Sequence, residues 1–478
     1  MFGNDYPMNL NTTLARVYCV LVSFACACIT PLATHAAPAA AQAAGNWIGS
    51  IGEIRVVFRI SEGPEGRLVA LADSPDQHAF DIPVNEVVCS GKTIRLNLKA
   101  LRSVYEGSFT NESTIDGKLI QGKSEMPLLL KRVASVPQPP KRPQTPKRPY
   151  PYGEEAVSIT NTTAGITLAG TLTLPRTKGP FAAVVLLTGS GPQDRDETVL
   201  SHRPFLVLSD YLTRQGFAVL RTDDRGVGES TGVFDGATIL DFKTDALACV
   251  NYLRHRPEIK PGAVGVLGHS EGASVAILAA AESKDVAFVV SLAGVGIKGY
   301  DNMVLQDYLS VKQGGASEAE AAWVRDWVKR FYKVPLEVKD DAAAEAQLRA
   351  MYAAIRPEEK AAASRMGGIT LDPKFAVTPG MRFGLAFDPV PFLSKVKCPV
   401  LALNGNKDVQ VPALENLRGL ETGLQTAGNQ RVITKNLPNL NHLFQTVVPG
   451  GPTAYGEIEE TMSPIALSAI SDWLRTQL

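Results

Sequence analysis

The sequence predicts two folded parts, a small antiparallel β domain and then an α/β domain whose mostly parallel sheet carries helices on both faces. Three observations predict this. Residues 45–133 hold only short alternating apolar runs, separated by Gly, Pro, Asn and Asp. From about residue 153, apolar runs of strand length alternate with stretches of helical spacing. Between the two, residues 134–152 contain "VPQPPKRPQTPKRPYPY", whose prolines forbid helix and favour an extended spacer.

The chain of 478 residues is long enough for these parts and one large core. Lysine plus arginine balances aspartate plus glutamate at 48 each, so no basic field points to nucleic acid and no acidic excess points to disorder. Residues 1–44 read as a signal peptide and alanine-rich cleavage region. Arg16 precedes "VYCVLVSFACACI", and "TPLATHAAPAAAQAAG" follows. That apolar run falls short of the ~20 residues of a spanning helix, so the expectation is export to the periplasm or beyond, with cleavage after Ala36 or near Ala43. Cys89, Cys249 and Cys398 then remain, and they fit neither a disulfide framework nor a C-x-x-C metal site. H-E-x-x-H is absent too, and no metal or cofactor is expected.

In the β domain, "EIRVVFRI" alternates with Ile54, Val56, Phe58 and Ile60 on one face. "GRLVALAD", "TIRLNL", "SVYEGSF", "TIDGKLIQG" and "PLLLKR" follow at short spacing, as in a sandwich or small barrel. Its one histidine, His78, reads as a loop residue. With no catalytic constellation, this domain is assigned accessory work, such as association with the cell envelope or a polymer. The linker after it is locally basic through Lys141, Arg142, Lys147 and Arg148 and is expected to make few contacts.

From residue 153, "FAAVVLLTG", "FAVLRTDD", "AVGVLG", "VAFVVSLAG", "PVLALNG" and "RVITKNL" suit a buried parallel sheet. "PFLVLSDYLTRQG", "DFKTDALACVNYLRHR" and "EGASVAILAAAES" carry helical spacing between them. Ligands of such sheets gather beyond the carboxyl ends of the strands. There the pattern G-x-S-x-G occurs twice. Ser270 in "GHSEG" directly follows a strand and precedes a helix of small residues, the context of a nucleophile elbow. Ser230 in "GESTG" lies in a glycine-rich loop with no helix starting at it, so Ser270 is the predicted nucleophile.

A nucleophilic serine needs a base and an orienting carboxylate. His269 is part of the elbow and should point away from the serine hydroxyl. His255 ends a helix, and His202 lies before the nucleophile. His442 in "NLPNLNHLFQ" follows the last strand and is the best base. Asp408 in "NGNKDVQVP" sits just past a strand end and is the chosen carboxylate, with turn or helix capping as its other role and Asp388 the next candidate. For the oxyanion, the donors are the backbone N–H of Glu271 and one from "LLTGSGPQDRDE", by position Ser190, with Gly191 next.

Taken together, "GSGPQDRDE", "RTDDRGVGES", "GHSEG", "NGNKDVQVP" and "NLNHLF" make residues 153–478 resemble an α/β-hydrolase of the serine aminopeptidase (S33-like) superfamily, and more narrowly the EstD-like bacterial carboxylesterases. "TGSG" stands where many lipases have a histidine-glycine pair. The resemblance implies a hydrolase fold, the order Ser270, Asp408, His442 for the triad, and a small-molecule ester as substrate.

Residues 297–390 form an insertion. In "EAAWVRDWVKRFY", Trp323, Val324, Trp327, Val328, Phe331 and Tyr332 share one helical face, and a helical cap over the site is expected. The resulting expectation is an exported serine esterase. A peptidase is the nearest alternative. It would need a carboxylate for the substrate ammonium, which "DDAAAEAQ" or "RPEEK" could offer. A third is an inert binding protein on the same fold.

Overall fold

The computed structural model describes residues 42–477 apart from 53, 78, 123 and 367–370. The signal region through residue 41 and His78 therefore lie outside the described residues. Among these, no helix is long and apolar enough to cross a membrane. The chain divides into two compact units, one of residues 1–141 with 199–201 and one of 142–198 with 202–478.

The first unit is one antiparallel sheet of ten strands: β1 (Gly45–Ile51), β2 (Ile54–Glu62), β3 (Leu68–Ser74), β4 (Ala79–Val84), β5 (Glu86–Ser90), β6 (Thr93–Leu98), β7 (Ser103–Asn111), β8 (Thr114–Gln121), β9 (Ser124–Pro127) and β10 (Leu130–Val133). The order is β4-β3-β2-β1-β10-β8-β7-β6-β5, with β9 paired to β8. A single residue, Asn85, joins the outermost strands β4 and β5, so the sheet curls like a barrel around one core. Trp47, Phe58, Ile94, Leu96 and Tyr105 fill that core. Trp47 donates its indole N–H to the Ala43 carbonyl (2.8 Å), giving the buried ring's polar edge a partner.

The second unit carries an eight-stranded sheet of β11 (Gly153–Asn161), β12 (Ile166–Leu174), β13 (Phe181–Leu187), β14 (Ala218–Thr222), β15 (Ile259–His269), β16 (Val289–Leu292), β17 (Val400–Gly405) and β18 (Val432–Leu437). Their order is β11-β12-β14-β13-β15-β16-β17-β18. The β11–β12 hairpin is antiparallel, β12 runs antiparallel to β14, and every later pair is parallel. The six apolar runs picked out in the sequence are β13 to β18. Strand alternation sends Ala183, Val185 and Leu187 into one core layer and Ala182, Val184 and Leu186 into the other. Helices α1 (Pro204–Arg214) and α12 (Pro464–Arg475) cover the second face. The first face takes α2 (Ile239–Arg254), α3 (Glu271–Glu282) and α11 (Ala413–Thr426).

The insertion after β16 is helical: α4 (Gly299–Gln313), α5 (Glu318–Glu337), α6 (Asp341–Ala353), α7 (Lys360–Ala363), α8 (Pro373–Ala376), α9 (Pro379–Ala386) and α10 (Val390–Leu393). A capping box starts α5, with Ser317 Oγ accepting from Glu320 N (3.2 Å) and Glu320 accepting from Ser317 N (2.8 Å). The aromatic face of α5 packs the insertion's own core, where Trp327, Phe331 and Tyr332 are buried against Leu348 of α6. Asp307 is buried there too and accepts a hydrogen bond from Tyr332 Oη (2.7 Å).

The proline-rich segment does not behave as a free spacer throughout. From Arg142 onward it is bonded into the second unit. Arg142 donates to the carbonyls of Gly456 (2.7 Å) and Ile458 (3.0 Å), and Gln144 bonds the backbone of Thr461 and Met462. Tyr152 is buried and donates to Asp210 (2.9 Å). An extended proline-rich chain leaves its side chains and carbonyls free for a neighbouring surface, and here they are used.

Candidate active site

The parallel register aligns the strand ends that build the site. Leu187 of β13 is level with Gly268 of β15, His269 with Leu292 of β16, Leu292 with Leu403 of β17, and Gly405 with Leu437 of β18. Ser270 occupies the turn from β15 into α3 with φ 54 and ψ −116, a conformation that L residues rarely adopt. The turn forms because its neighbours lack side chains. A Cβ on Gly268 would strike the Gly272 carbonyl, and one on Gly272 would strike the carbonyls of Leu187 and Thr188. The Ser270 amide is fixed by the Leu292 carbonyl (2.8 Å).

Two neighbouring loops carry the other residues. Asn406 N donates to Leu437 O (2.9 Å) and Lys407 N to Leu440 O (2.9 Å), zipping the loop after β17 to the turn after β18. That contact brings Asp408 to His442. His442 Nδ1 lies 2.8 Å from Asp408 Oδ2, and His442 Nε2 lies 3.1 Å from Ser270 Oγ. The other Asp408 oxygen accepts from Gln410 N (2.8 Å) and Val411 N (2.9 Å). Asp408 and His442 are both buried. Thus the three residues singled out in the sequence meet in one hydrogen-bonded line. Asp388 stands apart in a turn of its own, accepting from Val390 N (3.0 Å).

Ser230 does different work. Its hydroxyl donates to Asp223 O (2.8 Å) and accepts from Ala169 N (2.9 Å), tying the loop after β14 to β12. His255 donates to Asn251 O (2.8 Å) at the end of α2, and His202 is buried against Thr461 Oγ1 (2.9 Å) and Tyr455 O (3.0 Å).

Among the proposed oxyanion donors, Glu271 is the first residue of α3, where a helix has no internal partner for its N–H. In the loop after β13, Gly189 lies against Ser270, but its N–H is taken by Glu197 Oε1 (2.7 Å). The amides of Ser190 and Gly191 have no hydrogen bond among the described residues. Sequence reasoning left Glu197 unassigned within "GSGPQDRDE". An acidic side chain in an oxyanion loop, with a histidine in the elbow to pair with it, was the available signal.

Two further carboxyls sit beside the elbow. Thr188, Gly189, Asp224, Phe234, Phe242 and Glu271 help line a small cavity. Asp224 accepts from Thr188 Oγ1 (2.7 Å) and Gln193 N (2.9 Å), yet burial pushes its carboxyl up to about 8. Burial likewise pushes Glu271 up to about 7. The carboxylates of the insertion that could have offered a partner for a substrate ammonium make other contacts. Asp340 caps α6 through Ala343 N (2.7 Å), Asp341 pairs with Arg382, Glu345 with Arg349, and Glu358 and Glu359 with Arg356.

Residues 164–422, more than half of the chain, match the family model described as X-Pro dipeptidyl-peptidase (S15 family). The chain belongs to this family. S15 proteins are serine hydrolases of the α/β-hydrolase superfamily, and the sheet order and elbow described above are of that kind. The chain is also similar to esterase EstD of Thermotoga maritima, with 38% identity over 117 residues. That stretch is 24% of this chain and 28% of EstD, so the match spans little more than a quarter of the relative's length. Similar solved structures include the esterase Pf2001 of Pyrococcus furiosus, with 17% identity, coverage of 72% of this chain and 99% of that one, and a TM-score of 0.42. Another is Est1E of Butyrivibrio proteoclasticus, solved with ferulic acid, with 18% identity, coverage of 67% and 99%, and a TM-score of 0.40.

Proposed function

We propose that this S15-family hydrolase is an exported serine esterase that cleaves small carboxylic esters through an acyl-enzyme. The observation that carries the reading is the line Asp408–His442–Ser270, at 2.8 and 3.1 Å, beside a loop whose Ser190 and Gly191 amides have no partner among the described residues. Ser270 Oγ attacks the ester carbonyl while His442 Nε2 takes its proton. The carbonyl oxygen becomes an anion held by the N–H groups of Glu271 and Ser190. Collapse expels the alcohol, which receives the proton from His442, and leaves the acyl group on Ser270. Water then attacks the acyl carbon, with His442 again the base, and the acid leaves. Asp408 keeps the imidazole in the tautomer with Nδ1 protonated and stabilises its cation.

A second reading, cleavage of aminoacyl bonds, is favoured by the family and by Asp224 and Glu271 in the cavity beside Ser270. A substrate ammonium arriving there would favour the ionised form of an adjacent acid and supply its one counter-charge. The helical insertion acts in either case as a cap. Its first helix is tied to the Asp408 loop through Asn302, which donates to Gln410 O (3.1 Å) and accepts from Asn416 (2.9 Å). The test is a panel of nitrophenyl esters against aminoacyl nitroanilides, with fluorophosphonate labelling of the serine. The esterase reading expects the higher kcat/KM on esters. Preference for free-amine anilides would transfer the assignment to a peptidase, and no labelling would leave an inert fold.

A further inference from the structure

Beyond the three reacting residues, a second buried pair connects the parts of the site. Glu197 Oε1 accepts from two donors, Gly189 N at 2.7 Å and His269 Nδ1 at 2.9 Å. On the far side of the same ring, His269 Nε2 meets the backbone carbonyl of His442 at 2.9 Å. Glu197 and His269 are both buried, at 4% and 7% exposure, so no water shell offers them other partners. A neutral imidazole has one N–H and one lone pair. Here both nitrogens face oxygen acceptors, so the ring needs both protons. The nearby carboxylate supplies the opposite charge that a buried cation requires.

We propose that Glu197 and His269 are positioning residues of the hydrolase, a buried carboxylate–imidazolium bridge that fixes the oxyanion loop at one end and the backbone of the base at the other. By occupying Gly189 N–H, Glu197 sets the orientation of the next peptide and so aims the Ser190 amide. By holding the His442 carbonyl, His269 sets the point from which the catalytic imidazole reaches Ser270. Neither residue touches substrate. The inference rests on Ser270 and His442 being nucleophile and base, as proposed above.

The charges around the bridge fix its pH behaviour. Burial opposes the His269 cation, but attraction to Glu197, the hydrogen bonds to Glu197 and His442 O, and the more distant Asp408 outweigh it and raise its pKa. The His442 ring, with its centroid 4.9 Å away, is a further titratable group packed against it. A raised imidazole pKa means that the ring keeps its second proton to higher pH than a free imidazole, and that the bridge is lost as pH rises through the raised value. Glu197→Gln removes the attraction and leaves the burial cost, so the ring should lose its second proton at lower pH. Its Nε2 lone pair would then face the His442 carbonyl.

The test combines ring spectroscopy with kinetics on the full chain. In ¹⁵N-histidine NMR at pH 7, His269 (assigned by its loss in His269→Gln) should carry protons on both nitrogens and keep them to higher pH than a free imidazole. Glu197→Gln should move the alkaline limb of kcat to lower pH and lower kcat by about 10- to 100-fold, the scale of misplacing a catalytic group by a fraction of an ångström, with KM little changed. Glu197→Asp, which keeps the charge, should restore the alkaline limb toward the parent position. A singly protonated His269 ring at pH 7, or a Glu197→Gln profile that overlays the parent, would overturn the proposal. Ser270→Ala, measured alongside, separates the two readings. If it stays active, the triad assignment falls, while the NMR result still decides the bridge.

Discussion

Replacing Asp408 by asparagine should abolish turnover without unfolding the protein, and the reason lies in which atom must go where. Asp408 Oδ1 accepts two backbone N–H groups, from Gln410 and Val411. An asparagine keeps those bonds only by placing its carbonyl oxygen there. Its NH₂ must then point at His442 Nδ1, where Asp408 Oδ2 now lies 2.8 Å away. A donor facing Nδ1 forces that nitrogen to accept and drives the ring proton to Nε2, where it faces Ser270 Oγ and cannot take a proton. The same substitution in a serine triad lowers kcat about 10³- to 10⁴-fold, or ~4–5.5 kcal/mol of barrier. Stability should change little, because both buried amides keep their acceptor. Asp408→Ala should melt well below Asp408→Asn, having orphaned both donors at about 1–3 kcal/mol each. Steady-state kinetics on a nitrophenyl ester and a thermal melt suffice. Activity within about tenfold of the parent in a folded Asp408→Asn protein would show that another carboxylate orients the base and refute the reasoning.

Three further outcomes are expected. Ser270→Ala should lose both hydrolysis and fluorophosphonate labelling, whereas Ser230→Ala should keep kcat and lose about 1–3 kcal/mol of stability from its two backbone bonds; denaturant melts and the ester assay distinguish them, and the reverse pattern would exchange the assignments. A chain of residues 142–478 should hydrolyse a small ester at nearly the full-length rate, while 153–478, without Arg142, Gln144 and Tyr152, should melt lower; a loss beyond about 100-fold (~2.7 kcal/mol) in a cooperatively melting 142–478 chain would make the β domain part of the site. Burial holds the Asp307 carboxyl up to about 7, so on raising pH from about 4 the unfolded chain releases this proton first and native stability falls until about 7. The melting temperature of Asp307→Asn relative to the parent should therefore rise between those values, and an equal difference at both ends would refute the shift.

Much of this site was legible in the sequence because its residues announce themselves locally. Gly268 and Gly272 around Ser270 are required by contacts within one strand–turn–helix unit, and that unit is contiguous in the chain. Asp408 and His442 follow strands directly, so a topology that lines up strand ends predicts their meeting. For Glu197 and His269 the residue types were visible in the loop and the elbow, but their pairing was not. Their roles depend on which carbonyl and which amide three separate loops present to each other, and no spacing records that. The β11–β12 hairpin escaped notice because the first half of β11, "GEEA", has little apolar signal, although burial alternates along the strand with Val157, Ile159 and Asn161 inward. The grip of Arg142 and Gln144 on residues 456–462 likewise joins segments at opposite ends of the second unit.

The elbow, the Asp408 loop and the His442 turn hang from β15, β17 and β18, and β18 is an edge of the sheet that follows the others in the chain. Without that edge strand, the proposed triad lacks the turn that carries its imidazole. Hydrolysis by the proposed triad therefore requires that edge to be in place. In refolding it should lag behind the burial of the central strands, so the first turnover can serve as a stopwatch for closing the far edge of the sheet.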